Sequence, residues 1–177
     1  MNCIRIATIA DLEKITEIYN QAVLSKFETA DTTEFESKDR LDWFYSHPQH
    51  TYPIFVYELN HTVVGWISIS PYRRGRKALR YTAEISYYIH TDFKRKGIGS
   101  KLVEYVLNHG KVLNFKTIFA IILDKNIASI NLLKKFDFAE WGHMPDIADF
   151  DGEICGHVYY GRKVLKISQN KIESLRF

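Results

Sequence analysis

Two hydrophobic periods run through this chain, and the change from one to the other marks its elements. Ile85, Tyr87 and Ile89 alternate with Glu84, Ser86 and Tyr88, the period of two that a strand requires. Past a turn at Thr91-Asp92 the period lengthens. Ile98, Leu102, Val103, Val106 and Leu107 fall at three- and four-residue spacing on one helical face, and His109-Gly110 is the predicted stop. Upstream, Cys3–Ile6 reads as a short strand. A helix over 10–24 follows, with Leu12, Ile15, Ile18, Tyr19, Ala22 and Val23 on one stripe and Thr8 and Asp11 as its capping pair. Ser37 is the expected cap of a second helix that holds Leu41, Trp43, Phe44 and Tyr45 and ends at His47-Pro48. A hairpin of 52–59 and 62–70 turns on Asn60-His61, with Gly65 as a bulge or a close approach.

Downstream, Thr117–Leu123 is almost continuously apolar, as in a strand buried on both faces. Asn126 is placed to cap a helix over 127–136 with Ile130, Leu133 and Phe136 inward, and Lys134 and Lys135 complement the dipole of its last turn. Two closing strands, 138–144 and 153–165, are expected around an acidic turn at 146–152. The interleaved order predicts an α/β fold: a mixed, mainly antiparallel central sheet flanked by helices on both faces. With 177 residues, one domain over 1–165 and a C-terminal tail over 166–177 are expected.

Composition narrows the function only slightly. At 46% hydrophobic and 25% charged the chain is ordinary for a soluble globular protein, and a net charge of +3 falls short of a nucleic-acid footprint. No span reaches membrane length, so a cytoplasmic protein with neither membrane nor nucleic-acid partners is expected. Cys3 and Cys155 fit no metal-ligand spacing and no disulfide framework, and a metal is not expected.

The chemistry concentrates between the central strand and its helix. Lys94, Arg95, Lys96, Gly97, Ile98, Gly99 and Ser100 form a basic, glycine-containing turn into a first helical turn. The amides there lack intrahelical partners, and both the dipole and the side chains favour an anion. The turn is no Walker sequence, because Gly-Lys-Ser/Thr is missing, and no dinucleotide fingerprint stands at the head of a βαβ unit.

Lys94-Arg95-Lys96-Gly97-Ile98-Gly99 resembles the acetyl-CoA motif of the GNAT N-acetyltransferases, Gln/Arg-x-x-Gly-x-Gly/Ala, with Lys94 in the first place. Within that superfamily, Thr82-Ala83-Glu84-Ile85-Ser86 and Gly65-Trp66 through Arg73 are most similar to the phosphinothricin and L-amino-acid N-acetyltransferase group. Gly142-His143-Met144-Pro145 is similar to an element of the same group. The resemblance covers about residues 3–165. It implies that the amides from Arg95 to Ser100 wrap the pyrophosphate of acetyl-CoA. It further implies that Tyr87, Tyr88 and Ile89 pair with the pantetheine arm and that Asn126 touches it. Glu84 would take the proton of the attacking amine, and His143 would line the site or assist. Tyr72 and Arg73 would hold a small substrate's acidic group, a planar guanidinium being suited to a bidentate grip. A homodimer is implied as well.

Amine acetylation needs a neutral amine, a donor for the developing oxyanion and a route for the leaving thiolate, but no nucleophilic triad. Three departures from the family bear on this. Leu133 occupies the slot where many relatives carry a Tyr or His proton donor. Asp137 replaces the glycine of Leu-Gly-Phe. Glu28-Thr29-Ala30-Asp31 lacks the usual aromatic after Thr29. Two other readings stay open: a coenzyme A-binding module without turnover, and transfer to another amine such as a polyamine or a protein N-terminus. The cationic loop Arg73, Arg74, Arg76, Lys77 argues against polycations.

Overall fold

The alternating stretch becomes β4, Thr82–Ile89, the centre of a seven-stranded sheet in a computed structural model that describes residues 2–164. The other strands are β1 (Asn2–Ile6), β2 (Ile54–Leu59), β3 (Thr62–Pro71), β5 (Thr117–Leu123), β6 (Ala139–Phe150) and β7 (Glu153–Lys163), in the order β1-β2-β3-β4-β5-β7-β6. Every neighbouring pair is antiparallel except β4–β5. Helices α1 (Leu12–Leu24) and α2 (Leu41–Tyr45) accompany one face, and α3 (Ile98–Val112) and α4 (Ile127–Lys135) the other. This is the predicted mixed α/β sheet with helices on both faces.

Side-chain alternation along β4 assigns each face its core. Ala83, Ile85, Tyr87 and Ile89 point toward α3 and α4, where Leu102, Val103, Val106, Ile130 and Leu133 are buried. Trp66, Ile54 and Val56 meet the α1 stripe of Ile15, Ile18, Tyr19 and Val23, and the Trp66 indole donates to Ile15 O at 3.0 Å. At the start of α1 the Thr8 amide donates to the Asp11 carboxylate at 2.7 Å, and Arg5 grips the same carboxylate through both terminal nitrogens at 2.8 Å.

Four local expectations need correcting. Ser37 does not cap the second helix. Glu36 takes the extended cap conformation, its amide donates to the Asp39 carboxylate at 3.0 Å, and a 3-10 segment, Ser37–Arg40, precedes α2. Helix α3 runs through Gly110 to Val112, because this glycine serves packing rather than capping: a Cβ there would lie 2.9 Å from Ile118 Cδ1. The stop comes at Asn114, in the left-handed region at φ 61°. Strand β6 does not end at Met144. Pro145 has no amide to donate and Asp146 is left-handed, so the strand bulges between Met144 and Ala148 and pairs again as far as Phe150. The hairpin closes only at Asp151-Gly152, both at positive φ, as the tightest hairpin turns demand. Gly65 is both things expected of it. The β2–β3 register slips beside it, and a Cβ would lie 3.2 Å from the Tyr88 carbonyl. The predicted tail, 166–177, lies outside the described residues.

Candidate active site

Strands β4 and β5 pair only at Thr82–Thr117, Ala83–Ile118 and Glu84–Phe119. Beyond Glu84 they part, so from Ile85 to Ile89 this edge of β4 has no strand partner among the described residues. A cleft of about 450 Å³ opens along the gap, lined by Tyr87, Tyr88, Ile89, Asn126, Ser129 and Leu132 together with the turn into α3. Main-chain donors and acceptors without a strand on one side suit an extended polar chain laid between the strands.

The turn is shaped for an anion. Gly97 caps α3 in the left-handed conformation at φ 78°, and Arg95 is left-handed too at φ 62°. The first amide of α3 with a main-chain acceptor is that of Lys101, which donates to Gly97 O at 3.1 Å. The amides from Arg95 to Ser100 have none among the described residues. The two glycines differ in purpose. A Cβ on Gly97 would meet nothing within 4 Å, so its dihedral and whatever approaches it are the constraint, whereas a Cβ on Gly99 would lie 3.0 Å from Leu132 of α4. Lys94 is not free beside the turn: its Nζ is 2.6 Å from Glu28, which also lines the cleft. Lys96 lies over the Phe93 ring. Asn126 caps α4 by accepting from the Ser129 amide at 3.1 Å.

Glu84 sits where the strands part. Its side chain shares the α1 face with Ser70, its partner on β3, and with Ser86 two residues on. Its neighbours in the sheet line two cavities. Ser70 and Ser86 line one of about 290 Å³; Thr82 and Phe119 line another of about 370 Å³. Neither cation that could have neutralised Glu84 does so, since Arg80 stacks on Tyr81 and Lys94 is held by Glu28. Burial alone therefore pushes its carboxyl above the ordinary glutamate value.

A family profile described as Acetyltransferase (GNAT) domain matches residues 3–139. The chain belongs to the GNAT acetyltransferase family. It is 38% identical over 162 residues to Bacillus subtilis YwnH, whose name gives phosphinothricin acetyltransferase activity only provisionally; the match covers 91% of this chain and 98% of that protein. It is 33% identical to the L-methionine sulfoximine/L-methionine sulfone acetyltransferase of Salmonella typhimurium, over 81% of this chain and 84% of the relative. The phosphinothricin acetyltransferase of Sinorhizobium meliloti, solved with acetyl-CoA, superposes with a TM-score of 0.86 at 26% identity, covering 95% of this chain and 94% of that one.

GNAT acetyltransferases use acetyl-CoA, and the parted strands and unpaired amides fit that cofactor. Of the other residues expected in this GNAT site, His143 is exposed on β6. Its Nε2 lies 3.1 Å from Asp124 Oδ2, which also accepts the Gly156 amide at 2.9 Å. It shares the 370 Å³ cavity with Tyr72, whose ring meets Phe119 edge-on. Arg73 lies apart, in a third cavity of about 420 Å³ under the cationic loop, with Ser46 and Pro48. Leu133 is fully buried in the core and does not line the cofactor cleft. The hydroxyl that crosses to α4 belongs to Tyr87, which donates to Ser129 O at 3.4 Å. No helix among the described residues is long and apolar enough to cross a membrane.

Sequence reasoning missed the residues that α1 and the segment before α2 bring to the Glu84 face. Arg40, Asp31 and Tyr19 meet Trp43 and Trp66 there. The available signal was an arginine three residues before a tryptophan on a short helix, facing the predicted stripe of the preceding one.

Proposed function

We propose that this chain transfers the acetyl group of acetyl-CoA to the primary amine of a small amino-acid-like molecule: phosphinothricin, methionine sulfoximine or an L-amino acid. The carrying observation is Glu84, half-buried where β4 leaves β5, with no donor or cation among the described residues to hold it as a spectator. Acetyl-CoA supplies the activated acyl group. The Arg95–Ser100 amides bind its diphosphate, and the open edge of β4 aligns its arm so that the thioester ends near Glu84. Glu84 accepts the proton of the ammonium group, directly or through one water, which leaves a nucleophilic amine. As the N–C bond forms the C–S bond breaks, and coenzyme A departs as the thiol after taking up the proton that the acylated nitrogen sheds on becoming an amide. A raised carboxyl value suits this role, since a stronger base abstracts more readily at neutral pH. His143, oriented by Asp124, lines the acceptor side. Arg73 and Tyr72 are the contacts for a second acidic group such as a phosphinate, at the far side of the cavities. The proposal extends to a cytoplasmic homodimer meeting at the edge strand β6, where Trp141, Met144 and Ile147 are exposed.

One observation favours the second reading, coenzyme A binding without turnover: Leu133 offers the thiolate no proton. Release of free thiol from acetyl-CoA decides between them. The expected result is release with phosphinothricin, methionine sulfoximine or an L-amino acid. Cofactor binding without release for every amine would establish the second reading.

A further inference from the structure

Arg40 lines the cavity beside Glu84 that Ser70 and Ser86 also line. It ends the 3-10 segment before α2 and is only 7% exposed. Its guanidinium carbon lies 4.0 Å from the Tyr19 ring centroid and 4.2 Å from that of Trp43. No carboxylate among the described residues forms an ion pair with it, and its Nε is shut from water without a partner. The contrast with Arg162 is instructive. That side chain also has a buried, unpartnered Nε, but it is anchored to the Phe136 carbonyl, as a structural arginine is. A buried cation without a salt bridge is costly: the Tyr19 hydroxyl and the Asp31 carboxylate favour its charge, yet burial is the larger effect and lowers the proton affinity of Arg40 from its ordinary, very high value. Such a group is retained where something else brings the negative charge.

We propose that Arg40 holds the α-carboxylate of the amino-acid substrate, in the aromatic-walled cavity on the Glu84 face of the sheet. The proposal rests on the acetyltransferase reading and names a determinant of its substrate class. The cavity, about 290 Å³, is floored by Ser68, Ser70 and Ser86, and Ser70 stands opposite Glu84 in the β3–β4 register. Its two acids are engaged. Asp31 accepts from the Tyr19 hydroxyl, and Asp39 accepts the Glu36 amide at 3.0 Å. Arg40 is thus the cation available within it. An α-amino acid carries its carboxylate one carbon from its amine, so a molecule that presents the amine to Glu84 across Ser70 and Ser86 can turn its carboxylate toward the Arg40 side. The rings stacked on Arg40 leave its edge, where the N–H groups point, as the face for a two-oxygen anion.

The test compares thiol release from acetyl-CoA with L-methionine sulfoximine and with the amine that lacks only its carboxyl group. The wild type is expected to favour the amino acid by about 10- to 100-fold in kcat/KM. Arg40→Met is expected to abolish that preference by lowering kcat/KM for the amino acid, with the decarboxylated amine unaffected. Arg40→Lys, which keeps charge but not the planar fork, should restore part of it. Thermal melting and acetyl-CoA affinity establish that each variant is folded. Should Arg40→Met fail to fold, Arg40→Lys carries the test. A folded variant with the wild-type preference overturns the assignment while acetyl transfer stands. Absence of thiol release from the wild type with every amino acid overturns both.

Discussion

The two clefts that meet at β4 are built in opposite ways. The cofactor cleft is made largely of main chain, from the strand edge of 85–89 and a turn whose amides from Arg95 to Ser100 lack main-chain acceptors among the described residues, nearly all within one short stretch. The cavity on the other face is made of side chains. Tyr19, Asp31, Arg40, Trp66, Ser70 and Ser86 come from five separate segments and meet only when the sheet and α1 are in place. Backbone recognition tolerates changes of side chain, so one cofactor suits many sequences. Side-chain recognition does not, and the acceptor cavity is where specificity can change without disturbing the cofactor site.

The largest effect expected is on the acceptor side. Glu84→Gln should lower kcat by about 10²- to 10⁴-fold with acetyl-CoA affinity unchanged. The wild-type rate should fall on the acid side, with an apparent pKa above that of an ordinary glutamate; the variant's residual rate should lose that limb. Stability should move the other way. The native carboxyl holds its proton better than the unfolded one, so ionisation weakens the native state as pH climbs past the ordinary glutamate range. Glu84→Gln should therefore raise Tm at pH 7 and leave it unchanged at pH 4 by calorimetry. A Tm gain of equal size at both pH values would refute the unsupported-carboxyl picture.

Next comes the cofactor side. Gly97→Ala forces a Cβ into the left-handed cap at φ 78°, which costs about 1–2 kcal/mol. Acetyl-CoA affinity should fall about tenfold by isothermal titration, with KM for the amine unchanged. A change in amine selectivity instead would erase the separation between the clefts. Arg73→Met should cost about tenfold in kcat/KM for phosphinothricin and less than about threefold for methionine sulfoximine, which lacks the second acid. Equal losses would place Arg73 at the α-carboxylate instead. Smallest is Glu28→Gln. The Lys94–Glu28 pair is about one-third exposed on each side and worth at most about 1 kcal/mol, so freeing Lys94 should raise acetyl-CoA affinity by only about two- to fivefold.

The same division decides what the sequence disclosed. The strand period of β4, the basic Gly-x-Gly turn and the apolar stripe of α3 are local patterns, each legible within a single element. The strand order, the split between β4 and β5 and the approach of Arg40 to Trp66 depend on contacts between segments far apart, and no period encodes them. Where local reasoning failed, a residue had a tertiary duty. Gly110 reads as a helix stop but admits Ile118, and Asp146 follows a proline as a turn would but sits in a bulge that lets β6 continue. Asp137, by contrast, stands where the family has glycine and is left-handed at φ 58°, a conformation set locally by the chain reversal after α4.

Only three residue pairs stitch β4 to β5, so the sheet is two leaves joined along a short seam near its midline. A ligand threaded into the opening would act as a rivet, tying β1–β4 to β5–β7 through main-chain contacts that the protein alone does not make. Fastening should be felt across the whole molecule: slower amide exchange along 85–89 and in β5, and a cooperative rather than two-step melt once the seam is filled.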